Sequence, residues 1–159
     1  MPRGRGNVSA DYKIAIIGSG PGGLSAAGHA AELNVPHVLI EKAAHLSDTL
    51  FKFQKGKFVM STPDVLPLRS PMPFAAGKRE DILGNWDDTA ASLNVNVRLS
   101  TEVVGVEGEK GNFTIKLGDG STITAEAVIL GIGLQGNLNK LRVPGADLPH
   151  IQYQLDDPD

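Results

Sequence analysis

A short segment near the N-terminus constrains this chain most, because four apolar residues run directly into a glycine-rich turn. Residues 14–17 are Ile-Ala-Ile-Ile, and residues 18–23 are Gly-Ser-Gly-Pro-Gly-Gly. An uninterrupted apolar run of this length predicts a strand that is buried on both faces of a sheet. Gly18, Gly20 and Gly23 then match the spacing G-x-G-x-x-G, which is typical of a phosphate-binding turn between a strand and a helix.

Each glycine of this turn has a separate physical task. Gly18 allows the tight turn out of the strand, Gly20 lets a pyrophosphate lie against the backbone, and Gly23 lets the helix pack closely on the strand. The phosphates would face the free N–H groups and the positive dipole end at the helix N-terminus. The predicted cofactor-binding loop also contains three further residues, Ser19, Pro21 and Gly22.

The segment after the turn strengthens this prediction. Residues 24–33 are rich in alanine and predict a helix, which Asn34 and Pro36 would end. Residues 38–41 predict a second strand, so that the unit is β-α-β with a parallel pair of strands. That strand ends on Glu41, followed by Lys42, and an acid about 20 residues after the glycines can accept hydrogen bonds from an adenosine ribose. The alternative is a glycine-rich turn in an ordinary α/β protein, with Glu41 a solvated strand end.

Composition bounds the possible functions. The chain has 159 residues, which is enough for one domain, or for one domain and a fragment of another. Its net charge of −3 gives no electrostatic reason to expect binding to nucleic acid or to an anionic membrane. The chain contains no cysteine, so thiolate catalysis and cysteine-ligated metal are excluded within it, and its scattered histidines predict no metal site. No apolar run is long enough for a membrane helix, and we expect a cytoplasmic protein without a membrane partner.

The middle of the chain is less regular. Residues 43–77 contain four prolines and predict a long ordered loop with a short helix at 46–53. Residues 78–93 return to helical spacing, with Trp86 on the apolar face and therefore predicted to lie in the core. The helix is followed by a third strand at 95–99, and both predicted helices end in Leu-Asn-Val, which we interpret as local turn chemistry.

The second half predicts an antiparallel meander followed by another buried strand. Residues 102–107, 113–117 and 121–124 are separated by turn sequences at hairpin spacing. Residues 127–133 then repeat the opening pattern, since an apolar run ends at Gly131 and Gly133. The predicted fold class is therefore α/β, a Rossmann-like dinucleotide-binding domain whose parallel sheet is joined by an antiparallel β-meander.

From residue 12 to residue 159, this order of parts resembles the N-terminal FAD-binding part of the two-dinucleotide-binding-domain flavoproteins, the pyridine nucleotide-disulfide reductase and thioredoxin-reductase-like family. The glycine loop with Glu41, the meander, and the glycine motif at 130–137 carry the resemblance. It implies FAD as the cofactor, with Gly131 and Gly133 beside the nucleotide and with Val103 or Val104 offering backbone groups to the adenine. It also implies an FAD-binding domain at 12–133 and an extension at 134–159 leading toward an NAD(P) domain. Residues 1–11 are polar and contain glycines, which predicts a flexible tail.

Two departures from the family pattern qualify this expectation. The chain lacks the redox cysteine pair of the disulfide-reducing members, so it cannot reduce disulfides through cysteines of its own. It also lacks a second G-x-G-x-x-G unit and the returning segment that completes the FAD domain, so we expect the first half of a longer reductase or a pared-down relative. Without that segment, the strand at 127–130 would have an open apolar edge. This edge predicts self-association unless residues 134–155 cover it.

Three functions remain open at this stage. The first is a flavoprotein oxidoreductase module that receives hydride from NAD(P)H on another domain or chain, with no catalytic side chain of its own. In that case Asp48, Thr49 and Gln54 are candidates to lie over the flavin. The second is a binding module for FAD or another adenine nucleotide without turnover. The third is an NAD-dependent dehydrogenase, in which Glu41 would disfavour the 2′-phosphate of NADP.

Overall fold

The computed structural model describes residues 9–61, 68–134 and 139–153 of the chain. The predicted tail therefore lies mostly outside the described residues, as do the Gln-Gly-Asn residues at 135–137. The elements, in chain order, are strand β1 (Tyr12–Ile17), helix α1 (Pro21–Glu32), β2 (His37–Ile40), α2 (Asp48–Phe51), β3 (Phe58–Val59), β4 (Gly77–Lys78), α3 (Arg79–Ser92), β5 (Val97–Arg98), β6 (Val103–Glu109), β7 (Asn112–Leu117) and β8 (Thr122–Leu130).

Six strands form one mixed sheet in the order β5-β2-β1-β8-β7-β6. The strands β5, β2, β1 and β8 are parallel neighbours, whereas β6, β7 and β8 form the antiparallel meander. The register places Ile17 of β1 beside both Ile40 of β2 and Leu130 of β8, so these three strands end together. This arrangement confirms the predicted Rossmann-like α/β fold.

The central strands separate two hydrophobic clusters. Ile16 of β1 and Leu39 of β2 pack with Leu24 of α1 and Trp86 of α3. A second cluster joins the central strands to the meander, and it contains Ala15, Ile17, Val38, Ile40, Ile115, Leu117, Ile123 and Ala125. Trp86 is only 5 % exposed, which confirms its predicted place in the core.

The two Leu-Asn-Val sequences end their helices in the same way. Asn34 and Asn94 both have a left-handed backbone, with φ of 52° and 54°. The N–H of Val35 donates to Ala30 and the N–H of Val95 donates to Ala90, which are the six-to-one hydrogen bonds of a Schellman motif. The shared sequence therefore indicates shared helix-end chemistry, as predicted.

The predicted break near residue 125 is wrong, because a single nine-residue strand, β8, spans this position. Its first half pairs with β7 and its second half pairs with β1, and Ala125 is paired with both strands. The end of β8 is also not buried as predicted, since Ile129 is 39 % exposed and Leu130 is 64 % exposed. Among the described residues, β1 alone pairs with the stretch from Ala127 to Leu130.

The predicted loop at 43–77 has more structure than expected. It contains α2, which is shorter than the predicted helix, and β3, which pairs with β4 in a separate antiparallel sheet. Arg79, at the start of α3, explains why this segment packs against the domain. Its guanidinium donates to the backbone oxygens of Leu50 and Phe51 and so caps the C-terminal end of α2.

The strand predicted at 95–99 is shorter than expected, because β5 contains only Val97 and Arg98.

Candidate functional site

A large cavity lies where the parallel strands β1, β2 and β8 end. Its volume is about 1590 Å³, and its wall includes residues 17–22, 40–45, 47–50, 101–103 and 131–134. These residues end or follow β1, β2 and β8, precede or belong to α2, or lie at or just before the start of β6. In open α/β sheets, ligands bind in such a crevice at the carboxyl ends of the strands.

Three of the predicted glycines, Gly18, Gly23 and Gly131, lie in close backbone contact where β1 and β8 end. Gly18 has a φ of +96°, and a Cβ there would lie 2.5 Å from the backbone oxygen of Gly131. A Cβ on Gly23 would lie 1.8 Å from the oxygen of Gly18. A Cβ on Gly131 would lie 3.1 Å from the backbone of Gly23. The turn, the first helix and the end of β8 therefore interlock, and no side chain fits between them.

Gly20, Pro21 and Gly22 form the open side of the same turn. They line the cavity, and a Cβ on Gly22 would meet no atom within 4 Å. Gly20 is the N-cap of α1 and makes no side-chain capping bond. The first N–H groups of a helix have no partner within it, so the N–H of Gly22, which lines the cavity, suits an anion. Pro21, which has no N–H, suits the first helical position.

Glu41 lies at the end of β2 beside this turn. Its Oε2 accepts hydrogen bonds from Ser19 N at 2.9 Å and from Ser19 Oγ at 2.6 Å. Its Oε1 accepts a hydrogen bond from Ala43 N at 2.9 Å. The carboxylate therefore borders the cavity, and it also ties the glycine-rich turn to the segment that follows β2.

Ser47 extends this network and was missed by sequence reasoning. Its backbone N donates to Ser19 Oγ at 2.9 Å, and its own Oγ donates to Ser19 O at 3.0 Å. Ser19 is fully buried and Ser47 is 1 % exposed. Ser47 also has a left-handed backbone with φ of 56°, a conformation that nothing in its sequence indicates. The two serines thus couple the glycine-rich turn to the start of α2.

Of the other residues predicted to contact the cofactor, some line the cavity and one does not. Lys42 lines the cavity, and its Nζ forms an ion pair with Glu102 at 2.8 Å. Val103 lines the cavity, but Val104 lies at an irregularity between Val103 and Gly105 and is not part of the cavity wall. Gly133 lines the cavity and has a φ of +64°.

A charged cluster on and before α2 lies in another part of the wall. Asp48 accepts hydrogen bonds from His45 Nε2 at 2.9 Å and forms an ion pair with Lys52 Nζ at 2.8 Å. Burial acts to raise the pKa of Asp48, but the hydrogen bonds and charges of Lys52 and His45 outweigh it and hold that pKa below its ordinary value. The helical spacing of His45, Asp48 and Lys52 was the available sequence signal for this cluster.

Of the three candidates to lie over a flavin, Asp48 and Thr49 line the cavity, whereas Gln54 does not. The described residues contain no group of acidic, histidine or cysteine side chains that could hold a metal ion. No helix in the described ranges is long and apolar enough to cross a membrane.

Comparison with known proteins agrees with this geometry. The family model described as pyridine nucleotide-disulphide oxidoreductase matches residues 15–159. The chain belongs to this family. The resemblance inferred from the glycine-rich turn, the meander and the second glycine motif is thereby confirmed.

The similar proteins are longer than this chain. The ferredoxin–NADP reductase of Leuconostoc citreum is 28 % identical over 137 residues, which are 86 % of this chain and 38 % of the relative. The bacillithiol disulfide reductase of Staphylococcus aureus has a TM-score of 0.74 at 26 % identity, covering 87 % of this chain and 43 % of its own. A flavin-containing monooxygenase from Stenotrophomonas maltophilia shares the fold, with a TM-score of 0.66 at 20 % identity and coverage of 84 % and 41 %. The chain spans about two-fifths of the length of these proteins.

Proposed function

We propose that this chain is the FAD-binding module of an NAD(P)H-dependent flavoprotein oxidoreductase and that it holds the ADP part of FAD. One observation carries the proposal. The open side of the glycine-rich turn, the uncapped start of α1 and the carboxylate of Glu41 all border one cavity. These groups match an anionic pyrophosphate next to a ribose.

The residues of the cavity suit this ligand in three ways. Gly20 and Gly22 leave space for phosphate oxygens close to the backbone, because neither position has a neighbour nearer than 4.0 Å to an added Cβ. Glu41 accepts a hydrogen bond from the ribose, and Val103 with Gly131 and Gly133 borders the nucleotide. When bound, FAD supplies the electron-transfer chemistry through its isoalloxazine ring.

The electron donor and the domain arrangement form a finer part of the proposal. Ferredoxin–NADP reductases are among the similar proteins, and OTEMO, a protein of the same fold, was solved in complex with FAD and NADP. We therefore expect NAD(P)H to bind either to a second domain, reached through the extension at 134–159, or to a separate chain. Glu41 makes this cavity itself unsuited to NADP, because a 2′-phosphate would face a carboxylate.

We also propose that the open edge of β8 mediates self-association. Leu130 and Ile132 are 64 % and 63 % exposed, and no described strand other than β1 pairs with the end of β8. Described residues 131–134 and 139–153 form no strand that covers this edge. An exposed apolar edge of this kind pairs readily with another chain.

Titration of the purified chain with FAD, followed by flavin fluorescence and calorimetry, tests the main proposal. Glu41→Ala should weaken FAD binding by roughly 10- to 100-fold, since a hydrogen bond to a charged group contributes about 1.5–3 kcal/mol. The matched control is Glu109→Ala, at the exposed end of β6 and outside the cavity wall. Equal affinity of both variants for FAD would contradict the proposal.

The same preparation discriminates between the possible functions. Bleaching of bound flavin by NAD(P)H, alone or with a partner chain, supports the oxidoreductase module. Binding of ADP and FAD without any reduction supports the non-catalytic nucleotide-binding module instead. Binding of NAD in preference to FAD would support the dehydrogenase.

A further inference from the structure

The hydrogen bonds to Glu41 occupy most of the acceptor positions of its carboxylate. An ionised carboxylate offers about four lone-pair positions, two on each oxygen. Ser19 N and Ser19 Oγ both donate to Oε2, and Ala43 N donates to Oε1. Counting the donors among the described residues, Oε2 is filled by the protein, and a single position on Oε1 remains.

The donors on Oε2 cannot easily be withdrawn. Ser19 is fully buried, and its Oγ accepts a hydrogen bond from Ser47 N, so the only hydroxyl proton is directed to Glu41. The backbone of Ser19 is held in turn, because its oxygen accepts from Ser47 Oγ. Turning Oε2 toward a ligand would leave Ser19 N and Ser19 Oγ without an acceptor in a buried site, which costs about 1–3 kcal/mol for each group.

We infer that Ser19 restricts Glu41 to accepting a hydrogen bond from one of the two ribose hydroxyls, through Oε1, instead of from both. This inference rests on the proposed function, and it assigns Ser19 as a positioning residue that sets ribose specificity. The ligand class is an adenosine 5′-diphosphate moiety. One hydroxyl bonds to Oε1, and the other receives no hydrogen bond from the carboxylate.

Calorimetric binding of ADP, 2′-deoxy-ADP and 3′-deoxy-ADP to the whole chain tests the inference. One deoxy analogue should bind within about twofold of ADP, and the other should bind roughly tenfold more weakly, the equivalent of one hydrogen bond to a charged group. Equal losses for the two analogues would overturn the inference, as would no loss for either. Failure of ADP itself to bind would instead overturn the proposed function, so the two failures are distinguishable.

The variant Ser19→Ala tests the role of Ser19 itself. It removes one donor from Oε2 and keeps the backbone N–H, so Glu41 should gain a position for the second hydroxyl. The analogue that binds like ADP to the wild type should then bind about tenfold more weakly than ADP to this variant. A folded variant with the wild-type asymmetry would show that Ser19 does not set the specificity.

The control variant is Ser92→Ala, on the exposed end of α3, where the hydroxyl bonds only to the Thr89 backbone among the hydrogen bonds described. It should retain the wild-type pattern with all three nucleotides. If Ser19→Ala does not fold, the wild-type comparison of the two deoxy analogues still decides whether Glu41 reads one hydroxyl or two.

Discussion

Ser19 and Ser47 exchange two hydrogen bonds, although 28 residues separate them in the chain. Ser19 belongs to the glycine-rich turn, and Ser47 directly precedes α2. Through Ser19, Ser47 also supports Glu41, whose carboxylate accepts both the N–H and the hydroxyl of Ser19. The geometry of the proposed ribose contact therefore depends on a residue that does not belong to the glycine motif.

Substitutions at Ser47 separate its hydroxyl from its backbone conformation. Ser47→Ala removes the hydrogen bond to Ser19 O and keeps a side chain at positive φ, so the free energy of unfolding should fall by about 1–3 kcal/mol. Ser47→Gly removes the same hydrogen bond but suits the left-handed backbone, and it should cost about 1 kcal/mol less. Urea denaturation of both variants measures the difference. A Gly variant less stable than the Ala variant would contradict the observed conformation.

Gly23 and Gly22 are adjacent, yet alanine should have opposite effects at the two positions. A Cβ on Gly23 would overlap the backbone oxygen of Gly18 at 1.8 Å, and we expect Gly23→Ala to yield no folded protein. Gly22→Ala meets no neighbour within 4 Å and should keep or slightly raise the thermal midpoint, because alanine favours a helix. Circular dichroism melting of the two purified variants checks this contrast. A stable Gly23→Ala protein would show that the turn and the helix do not interlock.

Asp48 should make the stability of the protein sensitive to acid. Its pKa in the folded state lies below the ordinary value of 3.8, so its contribution is fully present above that pH and is lost as the pH falls through the folded pKa. For this partly exposed ion pair, we expect a contribution on the order of 0.5 kcal/mol. The difference in unfolding free energy between the wild type and Asp48→Asn should be constant near neutral pH and shrink below about pH 4.

Lys52→Met provides a second measurement for the same cluster. It removes one of the groups that lower the pKa of Asp48, and it should therefore weaken the acid dependence of the wild type. If Asp48→Asn and the wild type lose stability in parallel down to the lowest pH, Asp48 does not contribute in this way.

Substitution of Leu130 tests the proposed self-association through the edge of β8. We expect the chain to associate reversibly over the micromolar to millimolar range, and Leu130→Lys to shift it toward the monomer, because a charge on an edge opposes pairing. Sedimentation equilibrium measures the effect. Leu33→Lys is the matched control, since Leu33 is similarly exposed at 58 % but follows α1 instead of lying in β8. Association that responds equally to both substitutions would place the contact elsewhere.

Local sequence signals were sufficient for much of the fold. The run from Ile14 to Ile17, the glycines that follow it and the two Leu-Asn-Val helix ends correspond to features of the structure at the predicted positions. Each of these signals acts within a few residues, through turn geometry, strand propensity or helix capping. The place of Glu41 at the end of β2 follows from the same short unit.

Signals of this kind could not reveal contacts that depend on distant strands. The continuity of β8 through Ala125 results from simultaneous pairing with Phe113 of β7 and Tyr12 of β1. The exposure of Leu130 depends on which elements cover the sheet, and the irregularity at Val104 depends on the register with β7. An apolar run indicates a strand but does not specify its neighbours.

By itself, the sequence determined that a strand turns through glycines into a helix and that an acid ends the next strand. These features depend on local backbone conformation and on side chains close together in the chain. Only the tertiary structure decided that Gly131 packs against the backbone of the glycine-rich turn and that Ser47 holds Ser19 against Glu41. Those contacts form because parallel strands bring distant segments to one edge of the sheet, where buried polar groups must find hydrogen-bonding partners.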